Sequence, residues 1–341
     1  MPPHLAVTLL ALVSLTIAVS ATETTSARPI SYALVEEYIG KDFLEGFNFE
    51  AIDDPTHGRV NYVNSAIALQ EQLVLAKRDS FVLRADSKTT LSPEGPGRNS
   101  VRLISKNQYE NAVMVFDVKH MPEGCGSWPA VWTVGLPWPH LGEIDIIEGV
   151  NNQSPNNIVL HTTDGCDMPA VRLQTGISTK NSCGVGDDNL GCPVRPTDLK
   201  SFGPPFNQNG GGWYAMERTD AFIKVWFWPR DCSETPHDIR LGGKKVDTSK
   251  WGVPTAYFPS SDLCDLKSKF GPNYIIINLT FCGDWAGKAS AYSESGCPST
   301  CVDFVNNNPD AFKNAFFDFK ALRVYKRLRL HSRHHNAPTV F

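Results

Sequence analysis

Short runs of β-branched and aromatic residues recur along the chain from Val60 onward, and Gly, Pro, Asn and Asp separate them. The 26 glycines and 24 prolines are spread along the whole sequence and are not gathered in one linker. Such spacing favours many short strands joined by turns. We therefore predict an all-β protein, a β-sandwich that forms one large domain. The predicted strands cover residues 80–85, 100–104, 112–118, 130–134, 143–147, 158–162, 222–228, 274–279 and 317–325.

Two stretches depart from this pattern. Residues 34–49 show neither a clear strand pattern nor a clear helix pattern, and a short helix is expected around residues 35–39. Residues 164–212 are predicted to form a long loop, with Cys166, Cys183 and Cys192 as its staples.

The N-terminal sequence LAVTLLALVSLTIAVSA is apolar and ends in small residues, as the core and cleavage site of a signal peptide do. A membrane anchor is the alternative, but about 20 apolar residues are needed to span a bilayer. This run is shorter and contains Ser and Thr. We expect cleavage, secretion, and a mature protein with no membrane segment.

Nine cysteines fit an oxidising compartment, and their odd number leaves at least one without an intramolecular partner. Their spacing forms neither a paired CxxC nor a Cys/His ligand set, so we expect disulfides and no metal site. The net charge of -4 gives no basic field for nucleic acid, and no Gly-rich phosphate loop is present. A neutral or weakly charged partner and no cofactor are expected.

The sequence GEIDIIEG places three carboxylates among isoleucines in a predicted strand. Side chains alternate between the faces of a strand, so Glu143 and Asp145 share one face. Strict alternation would put Glu148 on the opposite face. One extra residue, a β-bulge around Ile146 and Ile147, would return Glu148 to the acidic face.

This bulge sets the expected separation of the two glutamates. Without the extra residue the interval from Glu143 to Glu148 is four steps, or roughly 13 Å at about 3.3 Å per residue. If each side chain reaches inward by roughly 3.5 to 4 Å, the carboxyl groups lie around 5 to 6 Å apart, which is the spacing of a retaining glycosidase. The alternative, a solvated acidic face over an isoleucine core, is disfavoured because three acids share the face.

Three crowded carboxyl groups cannot all ionise cheaply, so one should hold a proton near neutral pH. The natural division makes Glu143 the ionised nucleophile and Glu148 the acid that later acts as base. Asp145 would orient Glu143 through a shared proton.

Aromatic residues near these acids are candidates for sugar contact, because the C–H faces of pyranose rings pack on indole. Trp132 and Trp138 lie on and after the preceding strand and are the better candidates, whereas Trp128 is assigned more to the core. Trp285 follows a strand end, where loops line clefts. His161 could reach the acidic face from the next strand, although a lone histidine is more often structural.

The string WPAVWTVG..WP....GEIDIIEGVN, followed by LHTTDGC, resembles fungal members of glycoside hydrolase family 16, the laminarinase-like endo-β-1,3(4)-glucanases. The similarity continues through NLTFCGDWAG to CPSTCVDFV. It implies a concanavalin A-like β-jelly-roll sandwich with a concave glycan-binding cleft. It also implies the roles given above for Glu143, Asp145 and Glu148, with Trp132 and His161 beside the scissile sugar.

The resemblance divides the chain into four parts. Residues 1–21 are the expected signal peptide and residues 22–46 an N-terminal segment. Residues 47–326 are the expected catalytic domain, and residues 327–341 a basic tail. The tail is interpreted as a solvated or frayed end, with contact to an acidic wall polymer as the alternative.

The resulting hypothesis is a secreted, monomeric, retaining endo-glycosidase that hydrolyses internal β-1,3 bonds, and some mixed β-1,3/1,4 bonds, of a β-glucan. A cell-wall transglycosylase would use the same three acids, so product analysis must separate the two. A glucan-binding lectin on the same sandwich is a third interpretation. The lectin would not need the acid pair.

Overall fold

A computed structural model describes residues 31–186 and 189–327. Antiparallel strands dominate this part of the chain. The strands are β1 (Ser31–Tyr38), β2 (Phe47–Phe49), β3 (Val60–Tyr62), β4 (Val74–Ala76), β5 (Phe81–Arg84), β6 (Arg98–Ser100), β7 (Arg102–Tyr109), β8 (Ala112–His120), β9 (Ser127–Val134), β10 (Glu143–Glu148), β11 (Val159–His161), β12 (Ile177–Ser178), β13 (Val194–Arg195), β14 (Gly212–Arg218), β15 (Phe222–Pro229), β16 (Lys245–Asp247), β17 (Ala256–Pro259), β18 (Asn273–Phe281) and β19 (Phe316–Arg327).

The helices are short and lie in the connections between strands. Most span one or two turns, so packing against the sheets stabilises them more than their own propensity does. They are α1 (Asp42–Gly46), α2 (Ser65–Gln70), α3 (Gly203–Gln208), α4 (His237–Leu241), α5 (Leu266–Lys269), α6 (Gly283–Ala286), α7 (Ala289–Glu294) and α8 (Cys301–Asn307). Among the described residues, no helix has the length and apolar character needed to cross a membrane.

Two large sheets form the sandwich. The nine-stranded sheet has the order β16-β1-β19-β8-β14-β15-β17, with β5 paired to β19 and β4 to β5. The six-stranded sheet has the order β11-β10-β9-β18-β7-β2. Neighbouring strands are often distant in sequence, so the chain crosses repeatedly from one sheet to the other, as in Greek-key and jelly-roll sandwiches.

The core lies between the two sheets. Ile144, Ile146 and Ile147 of β10 are fully buried, and they belong to one hydrophobic cluster with Phe116 of β8 and Tyr214 of β14. A fully buried isoleucine contributes about 1.5–3 kcal/mol to stability. Because these isoleucines occupy the inner face of the six-stranded sheet, the acids of β10 lie on its outer face.

The predicted helix around residues 35–39 is wrong, because residues 35–38 are part of β1. The strand pairs with β19 on one side and β16 on the other, with a register shift between Leu34 and Glu36. Tertiary pairing with the long strand β19 therefore outweighs the local pattern. The later part of the expected N-terminal segment is thus a strand of the nine-stranded sheet, and the domain limits stay a prediction.

Four disulfides agree with the interpretation of the cysteines as staples. They join Cys125 to Cys297, Cys166 to Cys264, Cys183 to Cys192 and Cys282 to Cys301. The ninth residue, Cys232, is free and half-buried. Two of these bonds hold the long loop predicted at residues 164–212, which in the structure also contains β12, β13 and α3. The expected signal peptide and residues 328–341 lie outside the described residues.

Candidate active site

The bulge predicted in β10 is present. Glu143 pairs with Val134 of β9 and Glu148 pairs with Ala130, so five steps along β10 match four along β9. The register shift falls across residues 145–147. Both glutamates consequently lie on the same face of the six-stranded sheet, while the isoleucines between them point into the core.

The outer face of this sheet forms the floor of a cleft of about 290 Å³. Asp145 is almost completely buried, with 2% of its surface exposed, and the two glutamates are half-buried. Every residue predicted for the site lines this one cleft: Glu143, Asp145, Glu148, Trp128, Trp132, Trp138, His161 and Trp285. Side chains from strands β9, β10 and β11 and helix α6 therefore meet at one surface.

Each glutamate receives a hydrogen bond from an indole N–H. Trp128 Nε1 donates to Glu148 Oε1 at 3.0 Å, and Trp138 Nε1 donates to Glu143 Oε2. The assignment of Trp128 more to the core is wrong, since its side chain lies in the cleft. Its ring also contacts that of Trp285 edge to face, with centroids 5.6 Å apart.

Trp132 contacts two residues that sequence reasoning missed, Asn278 and Arg102. Its Nε1 donates to Asn278 Oδ1 at 2.8 Å, and Asn278 Nδ2 in turn donates to the hydroxyl of Tyr62 at 3.0 Å. The Arg102 guanidinium lies 5.1 Å from the Trp132 ring centroid. Because this cation covers one side of the indole, only the other side is free to stack on a sugar.

His161 is placed beside the acids by its pairing with Glu143 across β10 and β11. Its Nε2 lies 3.3 Å from Asp145 Oδ2. Ligand atoms of Glu143, Asp145 and His161 all lie within 4.8 Å of one another, so these are the residues that could hold a divalent cation within the described ranges. Two carboxyl groups and an imidazole at this spacing can equally share protons.

The three acids have raised pKa values, and burial is the largest cause for each. Burial and the Asp145 carboxylate raise the pKa of Glu143 to about 8, against the opposing effects of His161 and the Trp138 hydrogen bond. Burial and Asp145 likewise raise the pKa of Glu148 to about 8, and the Trp128 hydrogen bond opposes them. Burial raises the pKa of Asp145 to about 7. The cluster therefore holds at least one proton at neutral pH.

Other polar side chains of the cleft also escaped the sequence analysis. Asp54 Oδ2 accepts hydrogen bonds from Thr280 Oγ1 at 2.6 Å and from Gly58 N at 3.0 Å, which fixes the loop before β3 against β18. Lys288 supplies a cation to the lining. Each is an isolated polar residue in its own stretch of sequence, so no local pattern marks it.

An antiparallel sandwich that carries two bulge-spaced glutamates in a cleft with tryptophans defines the class of glycoside hydrolase catalytic domains. The family model described as the XgeA-like, catalytic GH16 domain matches residues 47–325. The chain belongs to this glycoside hydrolase family 16 group.

Curated relatives are fungal. A probable endo-1,3(4)-beta-glucanase of Neosartorya fischeri is 44% identical over 318 residues, which cover 90% of this chain and 48% of that protein. A probable glycosidase of Schizosaccharomyces pombe is 43% identical over 300 residues, covering 87% of this chain and 70% of that protein. The chain thus spans about half the length of the Neosartorya relative.

Solved structures agree with the fold. GH16 Laminarinase 16A from Phanerochaete chrysosporium, with two beta-glucans in its donor and acceptor sites, is 56% identical with a TM-score of 0.86; the match covers 87% of this chain and 100% of that one. An elongating GH family 16 beta-1,3-glucosyltransferase is 43% identical with a TM-score of 0.80, covering 86% of this chain and 100% of that one. The predicted β-jelly-roll sandwich and the family resemblance are confirmed.

Proposed function

We propose that this protein is a secreted, retaining endo-glycosidase that hydrolyses internal β-1,3 bonds, and some mixed β-1,3/1,4 bonds, of β-glucans. The observation that carries the proposal is the bulge of β10, which brings Glu143 and Glu148 to one face of the cleft. The names of the fungal relatives, endo-1,3(4)-beta-glucanases, support the choice of substrate.

In the first step the Glu143 carboxylate attacks the anomeric carbon of the sugar. The bond from that carbon to the leaving oxygen breaks, and the protonated Glu148 gives its proton to that oxygen. The pKa of Glu143 is raised as well, and the nearby His161 and the hydrogen bond from the Trp138 N–H favour the ionised form that this attack needs. The raised pKa of Glu148, caused mainly by burial, keeps the proton available near neutral pH.

In the second step a water molecule attacks the same anomeric carbon from the opposite side. Glu148, now ionised, takes the proton of that water, and the bond to Glu143 breaks. Two inversions at one carbon restore the β configuration. Asp145 lies between the two glutamates and close to His161, where it can exchange a proton with Glu143 as that carboxylate changes charge.

Secretion is supported by the four disulfides, which persist in oxidising compartments. The apolar N-terminal sequence adds to this support as a signal peptide. A cleft lined by Trp128, Trp132 and Trp138 suits a polysaccharide chain, because the faces of indole rings can stack on successive sugar rings. We propose that the protein acts on its substrate as a monomer.

Transglycosylation is the second candidate. The structural match to an elongating beta-1,3-glucosyltransferase favours it. A sugar hydroxyl would then take the place of water in the second step, and the same three acids would serve. Non-catalytic glucan binding explains neither the bulge nor the raised pKa values of the acids.

A laminarin digest followed by proton NMR tests the proposal. We expect the β-anomer signal first, with the α-anomer appearing only as mutarotation proceeds. Lichenan should be cleaved more slowly and cellulose not at all. An α-anomer that appears first would contradict the retaining mechanism. If a laminari-oligosaccharide is used as the substrate, products longer than that oligosaccharide would favour transglycosylation.

A further inference from the structure

The bulge of β10 leaves backbone groups that no strand can pair. On the side of β11, pairing ends where Asp145 meets Val159. The carbonyl of Ile146 and the N–H of Glu148 lie beyond that point. Both belong to the segment that sets the direction of the Glu148 side chain, so their hydrogen-bond partners decide how firmly that acid is held.

Both groups are bound by one side chain, the amide of Asn156. Its Nδ2 donates to the Ile146 carbonyl at 2.8 Å, and its Oδ1 accepts from the Glu148 N–H at 2.9 Å. Asn156 is completely buried. A carboxamide carries a donor and an acceptor side by side, like a peptide group, and here it replaces the residue that a longer β11 would have supplied.

Asn156 is itself anchored to the opposite sheet. Its backbone N–H donates to Ser201 Oγ at 3.1 Å, and Ser201 Oγ donates to the Asp198 carbonyl at 2.6 Å. The hydroxyl of Tyr214, on β14, donates to the Ser201 carbonyl. Asn156, Ser201 and Tyr214 are all fully buried. A continuous set of hydrogen bonds therefore connects the nine-stranded sheet with the bulge.

We propose that Asn156 is a positioning residue for the acid/base Glu148. This inference rests on the proposed function and adds a residue to it. Without the amide, the Ile146 carbonyl and the Glu148 N–H would be buried with no partner, and the bulge would shift to find one. Proton transfer needs the carboxyl group within about 2.6–3.2 Å of the leaving oxygen, so a small shift impairs it.

The test compares two substrates in the variant Asn156→Ala. A laminari-oligosaccharide has a poor leaving group and needs the proton of Glu148, whereas 2,4-dinitrophenyl β-laminaribioside has a leaving group that departs without it. The ratio of the two kcat/KM values isolates proton donation in the first step. We expect kcat/KM to fall about a hundredfold for the oligosaccharide but only about tenfold for the aryl substrate.

Asn207→Ala is the matched control. Its Oδ1 accepts from Met121 N and its Nδ2 donates to Met121 O, each at 2.9 Å, so it is a similar backbone clamp outside the cleft. Asn207→Ala should leave the ratio of the two kcat/KM values unchanged. Asn156→Asp has the same shape and keeps the acceptor for Glu148 N–H, so it should lower the ratio less than Asn156→Ala does.

Asn156→Asp also decides the question if Asn156→Ala does not fold. An unchanged substrate ratio in folded Asn156 variants of an active enzyme overturns the role of Asn156 and leaves the proposed function intact. If the wild-type protein hydrolyses neither substrate, the proposed function is wrong and the role of Asn156 falls with it.

Discussion

The indole N–H of Trp128 donates a hydrogen bond of 3.0 Å to Oε1 of Glu148. A donor of this kind stabilises the ionised carboxylate, whereas burial stabilises the protonated form. Burial is the larger effect, so the pKa of Glu148 is raised to about 8. In the proposed mechanism Glu148 gives up a proton in one step and takes one back in the next, so the opposing effect of Trp128 on its pKa matters.

We expect Trp128→Phe to move the alkaline limb of the pH profile of kcat/KM to higher pH. Removing the donor raises the pKa of Glu148 further, and the proposed mechanism needs Glu148 to be protonated in its first step. The measurement is kcat/KM for laminarin from pH 4 to 10. A limb that stays in place or moves to lower pH would contradict the role of this hydrogen bond.

Replacing Glu143 by Gln should abolish turnover and preserve the fold. The amide keeps the shape of the side chain but cannot attack the anomeric carbon, and we expect a loss of at least about a thousandfold. Reducing-sugar release from laminarin gives the activity, and circular dichroism checks the fold. Activity near that of the wild type would remove Glu143 from the nucleophile position.

Replacing Glu148 by Gln should slow substrates with poor leaving groups most, because these need the proton. On a dinitrophenyl substrate, added azide should restore part of the rate by attacking the glycosyl intermediate without help from a base. The product should be a β-glycosyl azide, which NMR identifies. If azide does not accelerate this variant, Glu148 is not the acid/base.

The raised pKa values also predict a pH dependence of stability. Glu148 ionises near 4.5 in the unfolded chain but near 8 in the folded protein, so folding retains a proton between these values. The contribution of Glu148 to the stability of the wild type therefore falls as the pH rises from about 4.5 to about 8, and Glu148→Gln avoids this cost. We expect the variant to gain on the order of 1–3 kcal/mol relative to the wild type between pH 4 and pH 8.

Urea unfolding of both proteins at pH 4 and pH 8 measures that gain. Lys250→Gln, at an exposed ion pair with Asp247, serves as a charge-removal control and should show almost no change. If the free energies of unfolding of Glu148→Gln and the wild type differ by the same amount at pH 4 and at pH 8, Glu148 is not buried as the structure describes.

Thiol counting under denaturing, non-reducing conditions should find one free thiol per chain. The structure assigns it to Cys232, since the other eight cysteines are paired. The variant Cys232→Ser should give no signal. Additional thiols in the wild-type protein would show that one of the four disulfides does not form.

The sequence was sufficient to predict the β-sandwich and the bulge, because alternation along one strand conflicts with three acids on one face. The same alternation could have placed Trp128 correctly. Trp128 and Trp132 are four residues apart on β9, which pairs with β18 without a register shift over residues 127–134. They therefore share a face, but the predicted strand began at residue 130 and was too short to include Trp128, whereas β9 begins at Ser127.

Other features depend on contacts between distant segments. Arg102, Asn156 and Asn278 are single polar residues whose partners lie on other strands. Residues 35–39 have helical character locally but become part of β1, because β19 offers a long strand to pair with. Tertiary partners of this kind leave no periodic trace in a single sequence.

The bulge has a consequence for insertions and deletions in this segment. Each residue added to or removed from a strand exchanges its two faces, so the number of residues between Asp145 and Glu148 matters more than their identity. Loss of one isoleucine together with the bulge would restore plain alternation and leave all three acids facing the cleft. Loss of the isoleucine with the bulge retained would drive Glu148 into the core. Odd and even spacings can therefore both support the same chemistry, provided that the bulge and the residue count change together.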